Sequence, residues 1–230
     1  MLREHHIPVD RTARYYALGE PHQGLRELWI VCHGYGQLAG RFLRHFEPIA
    51  DPDRLVIAPE GLSRFYVETG IGNHAHAHVG ASWMTREDRL SEIDDYIRYL
   101  DAVYAQLVQD VDRTALTVVG LGFSQGVATI SRWLAGGACH VARAILWGAA
   151  LPPDLDLAAA APLRATRLTL VAGRDDQHFT PDVLAREESR LRAAGLAFDT
   201  VVYEGGHRID GEVLKRLAES GAAAGEAVGG

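Results

Sequence analysis

Gly122-Phe123-Ser124-Gln125-Gly126 places a serine between two glycines, directly after the apolar run Leu116–Leu121 and at the opening of a helical pattern. A G-x-S-x-G sequence in a strand–turn–helix context is a nucleophile elbow. The turn forces the serine into a strained backbone conformation, and the flanking glycines remove the side chains that would clash there. The alternative, an ordinary helix N-cap serine, needs no glycine at either position. A serine hydroxyl is a weak nucleophile without a base, and the base needs an acid to orient it. On sheets that carry such an elbow the chain order is serine, acid, histidine.

Downstream of Ser124 stand His140, His178 and His207. His207 follows the apolar run Phe198–Tyr203 through Glu204-Gly205-Gly206, where a general base belongs. His140 precedes a strand and so falls at the opposite edge, while His178 reads as a wall residue. The acid is expected in Gly173-Arg174-Asp175-Asp176-Gln177-His178-Phe179, where Asp175 and Asp176 are both placed plausibly. Asp154 and Asp156 are weaker candidates, because Pro152-Pro153 reads as a surface turn. An oxyanion needs two donors. The expected ones are the backbone N–H of Gln125 and that of Tyr35, in the loop His33-Gly34-Tyr35-Gly36. His33 itself is expected to hold that loop rather than act as a base.

The elements that would position these groups are legible as short apolar runs. Leu28–Cys32, Leu55–Ala58, Leu116–Leu121, Ala144–Trp147, Leu168–Ala172 and Phe198–Tyr203 are mostly continuous rather than alternating, the mark of parallel strands covered on both faces. Helical patterns lie between them over 40–49, 86–108, 125–134, 181–194 and 211–220. Arg14–Leu18 reads as an antiparallel edge strand. The result is a doubly wound α/β sheet with its ligand site beyond the carboxyl ends of the strands. A chain of 230 residues with 47% hydrophobic and 23% charged residues fits one such domain. We expect it over 1–220, followed by a disordered Gly/Ala-rich tail over 221–230. A net charge of −7 argues against a nucleic-acid partner. No apolar run is long enough for stable membrane insertion, and no signal peptide is visible. Cys32 and Cys139 read as reduced, buried thiols of a cytoplasmic protein.

His-Gly-x-Gly after a strand, Gly-Phe-Ser-Gln-Gly, Gly-x-x-Asp-x-x-Phe-x-Pro and Gly-Gly-His together resemble the phospholipase/carboxylesterase family, the acyl-protein-thioesterase-like branch of the α/β-hydrolases. The resemblance runs from about Leu28 to Leu217. It implies an α/β-hydrolase fold, assigns the acid to Asp176, and puts Trp83 beside the acyl group, with Phe179 as a second pocket residue. Val127 stands where the family has another glycine, Phe179 replaces its usual valine, and Thr180 intervenes before Pro181. About twenty residues separate the fourth and fifth parallel strands, too few for a large cap domain. These features imply a serine carboxylic-ester hydrolase of carboxylesterase, lysophospholipase or thioesterase type. It would act on small to medium acyl esters, need no cofactor, and exist as a monomer or homodimer.

Asn73-His74-Ala75-His76-Ala77-His78 could present imidazoles on one face, but no neighbouring cysteine or carboxylate supports a metal site, and a solvated loop is expected. Two other classes are a hydrolase-fold binding protein without turnover and a metal-dependent hydrolase using His74, His76 and His78.

Overall fold

A computed structural model describes residues 1–67, 77–109 and 111–226. Its main sheet joins β1 (Tyr15–Leu18), β2 (Glu27–Cys32), β3 (Arg54–Pro59), β6 (Thr117–Phe123), β7 (Arg143–Trp147), β8 (Arg167–Gly173) and β9 (Phe198–Tyr203). The strand order is β1-β3-β2-β6-β7-β8-β9; β1 pairs antiparallel with β3 and the other pairs are parallel. The chain winds outward from β2 in one direction to β3 and then, through β6, in the other. The β2–β6 junction is therefore the switch point, where loops at the carboxyl ends part and leave a crevice.

Both faces of the sheet are covered, which explains the continuous apolar runs. Leu28, Ile30 and Cys32 of β2 belong to one apolar layer with Leu100 of α2 (Arg89–Leu107), Trp133 of α3 (Gln125–Gly136) and Leu191 of α5 (Pro181–Ala193). The alternate residues Trp29 and Val31 pack on the other face with Phe46, Leu214 and Leu217. The last two belong to α6 (Gly211–Glu226), which continues past the expected end at Ser220.

The segment read as one helix over 40–49 is instead a short α1 (Ala39–Phe42) followed by a 3-10 stretch, Leu43–Ile49. Pro48 lies inside it; proline has no N–H to donate, and its ring excludes the carbonyl four residues back. A second departure is a small antiparallel pair, β4 (Ser63–Tyr66) with β5 (Val79–Ser82), in what reads as loop. Between β7 and β8 there is only a short α4 (Ala161–Ala165), and no separate cap domain covers the sheet. Among the described residues, no helix is long and apolar enough to cross a membrane.

Candidate active site

Ser124 joins β6 to α3 with φ 53° and ψ −117°, a conformation that L-residues rarely adopt. It is held there from both sides: its N–H donates to the Trp147 carbonyl at 2.8 Å, and its own carbonyl accepts the Val127 N–H at 2.9 Å. The flanking glycines are demanded by close backbone. A Cβ at Gly126 would run into the carbonyl oxygens of Cys32 and His33, and one at Gly122 into the carbonyl of Gly126. The turn can thus press α3 against the end of β2, with the helix N-terminus aimed into the crevice.

His207 stands in the loop after β9. Its Nδ1 is 2.7 Å from Oδ2 of Asp176, whose side chain is 1% exposed. The other carboxylate oxygen of Asp176 accepts the N–H groups of His178 at 2.8 Å and Phe179 at 2.9 Å. Burial pushes this carboxyl up, but the hydrogen bonds from His207, Phe179 and His178 outweigh it and hold its pKa below the ordinary value. Asp175 points to solvent, so Asp176 alone of the pair meets the imidazole. Phe123 and His178 flank the His207 ring at centroid distances of 4.8 and 4.7 Å. Behind it, the Tyr203 hydroxyl lies 2.8 Å from the Gly206 carbonyl and 2.6 Å from that of Arg208, tying β9 to the loop that carries the histidine.

Ser124, Gln125, Tyr35, His178, Phe179 and His207 line one open cleft of about 690 Å³. Its remaining wall is largely apolar: Met84, Ala149, Leu151, Pro152, Pro153 and Val183. Gln125 is the first residue of α3, so its N–H has no acceptor within the helix. Tyr35 is an exposed residue of the tight turn 34–37, closed by the Gln37 N–H on the Gly34 carbonyl at 3.2 Å and by the Gly34 N–H on the Gln37 side chain at 2.8 Å. The small β4–β5 pair braces this turn: Gly36 N–H donates to Ala81 O at 2.9 Å, and Ala81 N–H to Gln37 O at 3.2 Å.

His33 is fully buried. It accepts the Gly61 N–H on Nε2 at 2.9 Å, so its Nδ1–H is the donor to the Gly34 carbonyl at 2.8 Å. Burial pushes its pKa down, against the raising effects of the Gly34 hydrogen bond and the charge on Glu60. It acts as a neutral clamp.

Trp83, expected beside the acyl group, does not line this cleft. Its indole N–H donates to the His33 carbonyl at 2.9 Å and its ring packs at 5.0 Å from that of His33, so the side chain lies beneath the turn. The peptide N–H of Trp83 donates at 3.1 Å to the Gln125 side chain, whose amide in turn donates to the Met84 carbonyl at 2.8 Å. This use of the Gln125 side chain to hold the wall had no signal in the sequence. Nor had the buried Glu60, which binds Arg14 at 2.7 Å and Arg64 at 3.2 Å. Of the histidine-rich run, His74 and His76 lie outside the described residues; His78 is exposed, and its carbonyl accepts the Val67 N–H at 2.8 Å.

No protein-family model and no curated protein sequence matches the chain. Solved structures do. Esterase PE8 has a TM-score of 0.67 and 20% identity, over 91% of this chain and 97% of its own. The Zea mays acyl-protein thioesterase 2 has a TM-score of 0.64 and 18% identity, over 92% of this chain and 99% of its own. A Bacillus cereus carboxylesterase has a TM-score of 0.63 and 15% identity, over 90% and 92%. Such low identities speak for architecture. With the mostly parallel sheet, its flanking helices and the absence of a cap, they identify the chain as having the α/β-hydrolase fold.

Proposed function

We propose that this protein is a serine hydrolase of carboxylic esters or thioesters that works through an acyl-enzyme. The observation that carries the reading is Ser124 held at positive φ in the switch-point crevice, in one cleft with a histidine bonded to a buried carboxylate. With Nδ1–H donated to Asp176, the Nε2 of His207 is left as the acceptor for the Ser124 proton. The serine oxygen attacks the acyl carbon, and the oxyanion takes the N–H groups of Gln125 and Tyr35. His207 returns the proton to the leaving oxygen or sulfur. A water then attacks the acyl-enzyme, giving its proton to His207, which passes it back to Ser124 as the acid leaves. The N-terminal end of α3 favours the negative charge in both steps. An open cleft without a cap suits small to medium acyl chains presented in water. The esterase and thioesterase neighbours support the same class.

Initial rates on p-nitrophenyl esters from acetate to octanoate test this. The Ser124→Ala protein should lose at least about three orders of magnitude in kcat/KM, and the chain-length optimum in the wild type would size the acyl site. Full activity in that variant would sink the assignment and turn attention to the histidine-rich segment. No turnover by the wild type would favour a binding role.

A further inference from the structure

Arg132 lines the same cleft and has no part in the chemistry just described. Ala128 and Arg132 stand four residues apart on α3 and line the cleft with its N-cap Ser124, and the small Ala128 leaves the space between hydroxyl and guanidinium open. At the helical rise the Ser124 and Arg132 Cα atoms are about 12 Å apart. Helical side chains lean toward the N-terminus, so the guanidinium lies nearer to Ser124 than the Arg132 Cα does.

The arginine is nearly dry, its side chain 8% exposed. Nε has no partner. One terminal nitrogen meets the Met84 thioether at 3.4 Å, the other donates to Oδ1 of Asp154 at 2.8 Å, and the Tyr96 hydroxyl lies against the same guanidinium. Asp154 is shared with Arg89, so a single carboxylate stands between two guanidinium groups and the cluster keeps a net positive charge. Arg132 is the one permanently charged side chain lining the cleft among the described residues. A buried cation with surplus charge is costly when all it does is bridge two elements, since an apolar residue of its size would hold them as well. Opposite an incoming anion the same placement is favourable, because a charge-assisted hydrogen bond gains strength in apolar surroundings.

We propose that Arg132 selects esters whose acyl part ends in a carboxylate a few bonds from the scissile carbonyl, the half-esters or half-thioesters of dicarboxylic acids. The anion is assigned to the acyl part because the leaving group must lie toward His207, which returns its proton. This assignment rests on the hydrolase reading above.

The test compares mono-4-nitrophenyl adipate with its methyl-capped ester, which differ by one charge. The readout is the ratio of their kcat/KM values. The wild type should prefer the half-ester. Arg132→Met should cut the ratio by about 10- to 100-fold, and Asp154→Asn, which removes the competing carboxylate, should raise it. A structural bridge predicts the contrary: both variants would harm both esters alike and leave the ratio where it was, an outcome that overturns the proposal. If the wild type cleaved neither ester, the hydrolase reading would fail, and calorimetry would judge Arg132 separately. Ser124→Ala would be titrated with monomethyl and dimethyl adipate, with and without Arg132→Met. Binding of the monoanion alone, lost with the arginine, upholds the anion site; equal binding of both compounds, or of neither, overturns it.

Discussion

Two hydrogen bonds of opposite sense fix His33 in one neutral tautomer, with Gly61 donating to one ring nitrogen and Gly34 accepting from the other. Protonation would put a second hydrogen on Nε2, facing the Gly61 N–H. The folded-state pKa is lowered from 6.5, so below that pH the unfolded chain binds a proton that the folded one refuses. Stability is therefore full above 6.5 and declines as pH falls through 6.5 toward the folded value. Urea titrations between pH 5 and 7.5 should show unfolding free energy rising with pH in the wild type, and a shallower slope in His33→Gln. An unchanged slope would assign the pH dependence to other groups, such as His45, whose pKa burial also lowers. At this scale the sequence was informative where chemistry imposes an order on the chain. Ser124, His207 and the loop holding Asp176 stand out because a G-x-S-x-G sequence, an acidic loop and a Gly-Gly-His follow one another at strand ends. The roles of Glu60, the Gln125 side chain and Trp83 stayed hidden, since each depends on a partner tens of residues away.

Among the elements, α3 carries the tightest contact, and its two terminal glycines make a controlled pair. A methyl at Gly126 collides with the backbone of β2's end and cannot be relieved by a side-chain rotation. At Gly136, at the other end of the same helix, it would meet only Ile97 Cδ1 at an ordinary 3.7 Å. Gly126→Ala should cost about 3 kcal/mol or more, or prevent folding. Gly136→Ala should be neutral or stabilising by up to about 1 kcal/mol. Chemical denaturation of the two variants checks both. The parallel strands were readable because burial on both faces leaves no alternation to mistake. The β4–β5 pair was not: its strands are four residues each, one contains Arg64 and the other Gly80, and neither forms an apolar run. Yet this pair braces the turn that carries Tyr35. In the 3-10 stretch, periodicity located the buried face correctly, with Leu43, Phe46 and Ile49 inside, while Pro48 changed the winding.

For the whole molecule, the short β7–β8 connection leaves the cleft open, with no covering helix or domain above it among the described residues. Rates on a sparingly soluble ester such as tributyrin should rise smoothly through its solubility limit, without the jump expected of an enzyme whose lid opens at an interface. A discontinuity there would require a covering element. The order of the strands has a further consequence, in time rather than in space. The serine lies at residue 124, in the middle of the sheet, but its carboxylate and base lie at 176 and 207, on the last two strands to be made. During synthesis the chain passes through a long interval in which Ser124 and the turn at 34–37 have been made and His207 has not. On the hydrolase reading proposed above, the growing chain would be inert toward esters until β9 pairs with β8 and brings His207 to Asp176.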